Sequence, residues 1–134
     1  MRFVVILAMT VSPVVAWGFD FRSPSNNIHC SIWVEDDTTT QAEVRCDRIE
    51  YTTSPPRPAD CDLDWGSAFW VGHSGRGQAV CAGDTIINPH SMRLQYGGVI
   101  ELNGIRCMSE RTGMTCRNAQ GGGFSIARGR ADLF

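Results

Sequence analysis

Residues 99 to 128 read V-I-E-L-N-G-I-R-C-M-S-E-R-T-G-M-T-C-R-N-A-Q-G-G-G-F-S-I-A-R, and this stretch decides the fold. Val99 to Leu102 and Ile105 to Met108 are short β-prone runs separated by Asn103-Gly104, the residue pair that best suits a two-residue type I′ hairpin. Closing the hairpin there sets Leu102 opposite Ile105 and Ile100 opposite Cys107 on one face, with Glu101 opposite Arg106 on the other. An apolar face and an opposed charge pair thus emerge from a single register. Gly113 marks a second tight turn, which returns Cys116 opposite Cys107 and Arg117 opposite Arg106. Beyond Gly121-Gly122-Gly123, the alternation of Phe124 and Ile126 with Ser125 and Ala127 predicts the strand that closes the sheet.

Upstream, the same alternation recurs. Ile28, Cys30, Ile32 and Val34 share one face of a predicted strand, with His29, Ser31 and Trp33 on the other. The polar run from Glu35 to Thr40 turns the chain, and Gln41 to Cys46 returns with Cys30 opposite Cys46 and Ile32 opposite Val44. Tyr51 to Pro58 is too proline-rich for a central strand or a helix and reads as an exposed connection. Ala68 to Val71 and Gln78 to Cys81 form another hairpin around the glycine-rich tip Gly72 to Gly77, and Thr85 to Ile87 reads as a short apolar strand ended by Asn88-Pro89. Trp17 to Phe21 is a short aromatic lead-in to a turn-rich run. No segment keeps a three-four spacing of apolar residues over a helix length. The expected fold is all-β, a small single domain of antiparallel hairpins in a meander, sandwich or barrel-like arrangement.

The chain begins with a pattern of export. Arg2 supplies a positive start, Phe3 to Val11 an apolar run and Val14-Val15-Ala16 a small-residue cleavage site, so residues 1–16 read as a signal peptide and 17–134 as one disulfide-rich β domain. The apolar run is shorter than the roughly 20 residues a membrane-spanning helix needs, so no transmembrane span is expected after cleavage. All 12 basic residues are arginine, against 14 acidic ones, and loss of Arg2 leaves 11 against 14, a formal charge of −3. That balance lacks the basic excess of a nucleic-acid binder.

All six cysteines lie after the signal. An even number in an exported chain reads as a disulfide framework, and the absence of any C-x-x-C spacing argues against a zinc knuckle or a thioredoxin-type centre. Hairpin geometry pairs Cys30 with Cys46, Cys61 with Cys81 and Cys107 with Cys116. Reduction is expected to unfold the domain.

Several blocks resemble an uncharacterised family of small exported bacterial proteins: Phe21-Arg22-Ser23-Pro24-Ser25-Asn26-Asn27-Ile28-His29-Cys30, Cys61 to Gly66 (C-D-L-D-W-G), Cys81 to Thr85 (C-A-G-D-T), Leu94 to Gly97 (L-Q-Y-G), and Gly113 to Arg128. The resemblance spans nearly the whole mature chain. It implies bacterial export to the periplasm or beyond and paired cysteines, in a domain of unknown function. The family more often has Ser-Gly-Asn where this chain has Ser25-Asn26-Asn27, and Ser-Arg in place of Ala127-Arg128.

Chemistry-bearing residues are sparse. His29, His73 and His90 are scattered, with no H-E-x-x-H or G-x-S-x-G motif around them. Asp64, beside Asp62, would form an acid/base pair with His73 if the second hairpin folds back, although turn-capping accounts for the carboxylates equally well. Asp36, Asp37, Asp62 and Asp64 lack the glycine and glutamate spacing of a calcium loop. No metal or cofactor is expected. Arg106 opposite Arg117, with Arg128 alongside if the last strand brings it there, would make a guanidinium cluster suited to a carboxylate, sulfate or phosphate. The competing reading has Glu101 neutralise Arg106 while the others splay into solvent. Among the four tryptophans, Trp65 and Trp70 read as core and Trp33 as the exposed ring that can stack on a sugar or a partner protein. The expected function is therefore a non-catalytic exported binding domain for a protein or an anionic or glycan ligand. The alternatives are a hydrolase using Asp64 and His73, and a protease inhibitor presenting the 72–77 loop.

Overall fold

A computed structural model describes residues 17–36 and 39–134. The predicted signal peptide, residues 1–16, and residues 37–38 lie outside them. Eleven strands form two sheets: β1 (Trp17–Arg22), β2 (Ile28–Asp36), β3 (Thr39–Arg48), β4 (Asp64–Val71), β5 (Gln78–Ala82) and β6 (Met92–Arg93) make the first, β7 (Val99–Leu102), β8 (Ile105–Glu110), β9 (Gly113–Arg117), β10 (Gly123–Ala127) and β11 (Arg130–Leu133) the second. The first runs in the order β5-β4-β3-β2-β1-β6 and the second in the order β11-β10-β9-β8-β7. The sheets pack face to face, with β4 against β10 and β3 against β8.

The expected registers hold. Cys30 pairs with Cys46 and Ile32 with Val44, Leu102 with Ile105 and Glu101 with Arg106, and Cys107 with Cys116 and Arg106 with Arg117. Asn103 and Gly104 have φ of 44° and 89°, the two left-handed positions that a type I′ turn requires. Gly113 sits at the start of β9 with φ 137°, where a Cβ would lie 2.2 Å from the Ile126 carbonyl oxygen of the neighbouring strand, so a side chain there would push β9 off β10.

Alternation follows the register. Ile100, Leu102, Ile105, Cys107, Met114, Cys116, Phe124 and Ile126 point inward from the second sheet and meet Phe21, Ile28, Cys30, Ile32, Val34, Val44, Cys46, Phe69 and Val71 from the first in one core. Each large apolar side chain buried this way contributes about 1.5–3 kcal/mol.

All three bridges form as expected: Cys30–Cys46, Cys61–Cys81 and Cys107–Cys116. The first and third join directly opposed residues within one sheet each, on its inner face. Their sulfurs meet across the core, with Cys46 Sγ 3.9 Å from Cys116 Sγ. The second ties the approach to β4 to the end of β5. Three bridges are consistent with an oxidising compartment, and no helix among the described residues is long and apolar enough to cross a membrane.

Three expectations are corrected. Trp17–Arg22 is a full strand, pairing with β2 along its whole length, because Trp17, Phe19 and Phe21 alternate with Gly18, Asp20 and Arg22. Phe124 to Ala127 does not close the sheet, since Arg128-Gly129 reverses the chain and β11 adds a further antiparallel strand. Tyr51 to Pro58 is the exposed connection expected, without strand or helix, and the Pro55 carbonyl accepts the Trp65 indole N–H at 2.8 Å. Thr85 to Ile87 is not a strand.

Residues 83–91 instead run as a strap from β5, at one edge of the first sheet, to β6, which pairs in parallel with β1 at the other. Side chains on the outer face of the sheet hold the strap in place of a strand ladder. Arg45 binds Asp84 at 3.0 Å, Asp47 accepts the Ile86 N–H and His29 Nδ1 accepts that of Asn88, and Asn88 donates to Asp20. The hydrogen bond from Arg45 holds the exposed Asp84 carboxyl below its ordinary pKa. That link therefore supports the fold above the carboxyl's unfolded value, about 3.9, and is lost as pH falls through the lower folded one.

Candidate functional site: an arginine face on the second sheet

The connections within the second sheet are tight turns, none long enough to cross it, so its outer face carries no strap. Along β8 and β9 that face presents Arg106 opposite Arg117, then Met108 opposite Thr115, then Glu110 opposite Gly113. Arg106, Met108, Glu110, Thr115 and Arg117 line a hollow of about 240 Å³. Like charges placed directly opposite each other across a strand pair repel, and the structure leaves this repulsion standing. The ion pairs among the described residues are Arg45–Asp47, Arg45–Asp84 and Arg128–Glu50, so Glu101, although opposite Arg106, does not neutralise it.

The two guanidinium groups are held differently. Arg117 stacks its guanidinium on the Phe134 ring, 4.5 Å from the centroid, which fixes its plane while leaving its N–H edges open. The Arg106 side chain is exposed and makes no hydrogen bond among the described residues. Beside them the Thr115 and Ser125 hydroxyls meet at 2.9 Å. Arg130 donates to Ser125 at 3.1 Å and to the Thr112 carbonyl at 2.8 Å. Two open guanidinium forks flanked by a hydroxyl pair are donors in search of an acceptor, which a planar carboxylate or a tetrahedral oxyanion would satisfy.

Arg128 does not join this cluster. The β9–β10 register sets Gly123, not Arg128, opposite Arg117, and Arg128 sits in the β10–β11 turn, 3.7 Å from the Glu50 carboxylate, both side chains 68% exposed. It lines a separate hollow of about 400 Å³ with residues that include Ser23, Tyr96 and Arg111. Arg130 takes the place expected of Arg128. Its signal in the sequence was the two-residue turn Arg128-Gly129 followed by the alternating run Arg130-Ala131-Asp132-Leu133.

The remaining candidates do not assemble. Asp64 opens β4 and His73 follows its end, so an eight-residue strand of about 25 Å separates the acid from the base. His29 is buried, with Nε2 donating to the Asn26 carbonyl and Nδ1 accepting the Asn88 N–H. That fixes the neutral Nε2–H tautomer and makes His29 a pin for the strap. Among the described residues no three of His, Cys, Asp or Glu are gathered for a metal ion. The 72–77 loop is exposed from His73 to Arg76 and clamped from behind, since Asn118 Nδ2 donates to the carbonyls of Gly72 and Gly75 and Gly77 N–H donates to the Phe134 carbonyl at 2.9 Å. Trp65 and Trp70 are half-buried and spend their indole N–H groups on Pro55 and Glu43.

The fold and this face define a class: a disulfide-stapled, two-sheet β domain with an open arginine-bearing surface. The chain belongs to the DUF6636 family, a family of unknown function, whose model matches residues 2–134. No curated protein and no solved structure matches it.

Proposed function

We propose that this protein is an exported, non-catalytic binding domain of the bacterial periplasm or cell exterior, and that its ligand presents an anionic group to Arg106 and Arg117. The observation that carries the reading is the pair of guanidinium groups directly opposed on an open sheet face and paired with no carboxylate among the described residues. Neighbouring strands hold both at fixed spacing, and Phe134 orients one of them, so little side-chain freedom remains to be lost on binding. The hollow takes one carboxylate, sulfate or phosphate group, as borne by an acidic sugar or an acidic peptide.

Isothermal titration with sulfate, phosphate and galacturonic acid oligomers tests this. Because both arginines are exposed and repel each other, Arg106→Ala and Arg117→Ala should leave the domain folded, with melting unchanged or slightly raised. Each charge-assisted hydrogen bond lost is expected to weaken binding by about tenfold or more, and added salt should weaken binding by the parent. Equal binding by parent and double variant ends the proposal. Export has its own check: the periplasmic or secreted product should begin at Trp17, as read by intact mass.

The clamped 72–77 loop favours a second reading as a protease inhibitor, because a rigid exposed loop is what such a contact needs. A stable protease complex that is lost when the loop is cut would support it over the anion site.

A further inference from the structure

On the opposite side of the sandwich the first sheet has a hollow of its own, of about 570 Å³, within the range of small-ligand sites. It lies where the strap reaches the edge of the sheet. The register sets Gly18 opposite Trp33 and Asp20 opposite Ser31 on the outer face. Gly18 brings no side chain against Trp33, while Trp17 and Phe19 of β1 also line the hollow, and the next outward residue of the strand is the carboxylate Asp20. Asn88 and Ser91 from the strap complete the wall.

The polar groups here are held but not saturated. Asn88 Nδ2 donates to Asp20 Oδ2 at 3.0 Å while its own Oδ1 accepts the His90 N–H, so the strap orients the carboxylate and leaves Asp20 Oδ1 open. The Ser91 hydroxyl is buried and has no hydrogen-bond partner. The half-buried Trp33 keeps its indole N–H without a partner among the described residues, unlike Trp65 and Trp70. An aromatic ring beside a fixed carboxylate acceptor, an indole donor and the Ser31 hydroxyl matches a pyranose. Its C–H face stacks on the ring, and each of its hydroxyls both donates and accepts.

We infer that this hollow, built by Trp33, Asp20, Ser31, Asn88 and Ser91, binds a neutral carbohydrate. It is independent of the arginine face. The single negative charge of Asp20 disfavours acidic sugars here, so the two sites divide neutral from anionic ligands.

The test is a titration of the full mature chain with glucose, N-acetylglucosamine and their β-1,4-linked oligomers, read by tryptophan emission and calorimetry. A saturable blue shift at millimolar concentrations is expected. Asp20→Ala combined with Ser31→Ala, both half-buried on the outer face, should weaken binding by about tenfold. Trp33→Ala, which removes both the stacking ring and the indole donor, should weaken calorimetric binding by about tenfold or more. Arg106→Ala with Arg117→Ala should bind these sugars as the parent does. Absence of saturable binding by every named sugar overturns the inference. So does unchanged affinity in the Asp20/Ser31 variant, or binding of lysine peptides or tetramethylammonium only.

Discussion

Replacement of Arg48 by methionine is expected to destabilise the domain by more than about 3 kcal/mol, measured as a fall in the urea midpoint at unchanged slope. Arg48 is 1% exposed and is the largest of the fully buried side chains. It pairs with no carboxylate among the described residues. Instead Nη1 donates to the carbonyls of Ala127 at 2.9 Å and Arg130 at 3.0 Å, and Nη2 donates to those of Thr53 at 2.8 Å and of Gly66. Tyr51 and Phe69 lie against the guanidinium, 4.6 and 4.9 Å from carbon to ring centroid. One cation thus joins β3, the proline-rich segment, β4 and the β10–β11 turn, tying both sheets at one end of the sandwich.

Burial pulls the Arg48 guanidinium below its ordinary pKa, and an arginine keeps its charge throughout the physiological range. Methionine fills similar space but withdraws the guanidinium N–H groups from four carbonyls, and a hydrogen bond to a charged group is worth about 1.5–3 kcal/mol. Lysine, a single point charge without the planar fork, should recover only part of the loss. An unchanged midpoint for Arg48→Met would show that water replaces the guanidinium at no cost.

Reduction of the three bridges is the second large effect. They join residues 16, 20 and 9 apart, for which the chain-entropy estimate is about 3 kcal/mol each. The total is comparable with the whole stability of a domain this size, about 5–15 kcal/mol, so full reduction should unfold the protein or drop its melting temperature steeply. The order should be uneven. Cys81 is exposed, whereas Cys30, Cys46, Cys107 and Cys116 are 0–1% exposed. Mild reductant followed by alkylation and mass spectrometry should therefore label Cys61 and Cys81 first, and label the core cysteines only as the domain unfolds. Simultaneous labelling of all six would contradict this burial, and an unchanged melting curve in strong reductant would contradict the stabilising role.

Much of the architecture was legible because β registers are local arithmetic. Asn103-Gly104 sets one hairpin, and once it closes, Cys107, Cys116, Arg106 and Arg117 have no freedom to choose partners. The strands missed, β1, β6 and β11, were short runs beside turn residues, where alternation over a few positions is a weak signal. Thr85 to Ile87 misled for the opposite reason. Its residues favour extended chain, and extended chain is what forms, but Asp47 and His29 side chains take the backbone N–H groups that a strand would have given to a neighbour.

The arginine face shows the same division. The opposition of Arg106 and Arg117 follows from two consecutive hairpins and could be read directly. The exchange of Arg128 for Arg130 turned on a two-residue reversal. Arg48 left one sequence trace, a charged residue at the inward position that continues Ala42, Val44 and Cys46, but its four carbonyl partners come from segments up to 82 residues away.

By itself the amino-acid sequence determined the all-β class, the three cysteine pairs and the registers around Asn103-Gly104 and Gly113, because each depends on neighbours a few residues apart. The tertiary structure alone decided that two sheets stack with two disulfides touching between them, that residues 83–91 cover one sheet while the other stays bare, and that Arg48 is buried among carbonyls. Those outcomes depend on which surfaces meet across long loops. The energy of such meetings is shared among residues whose separation along the chain carries no local signal.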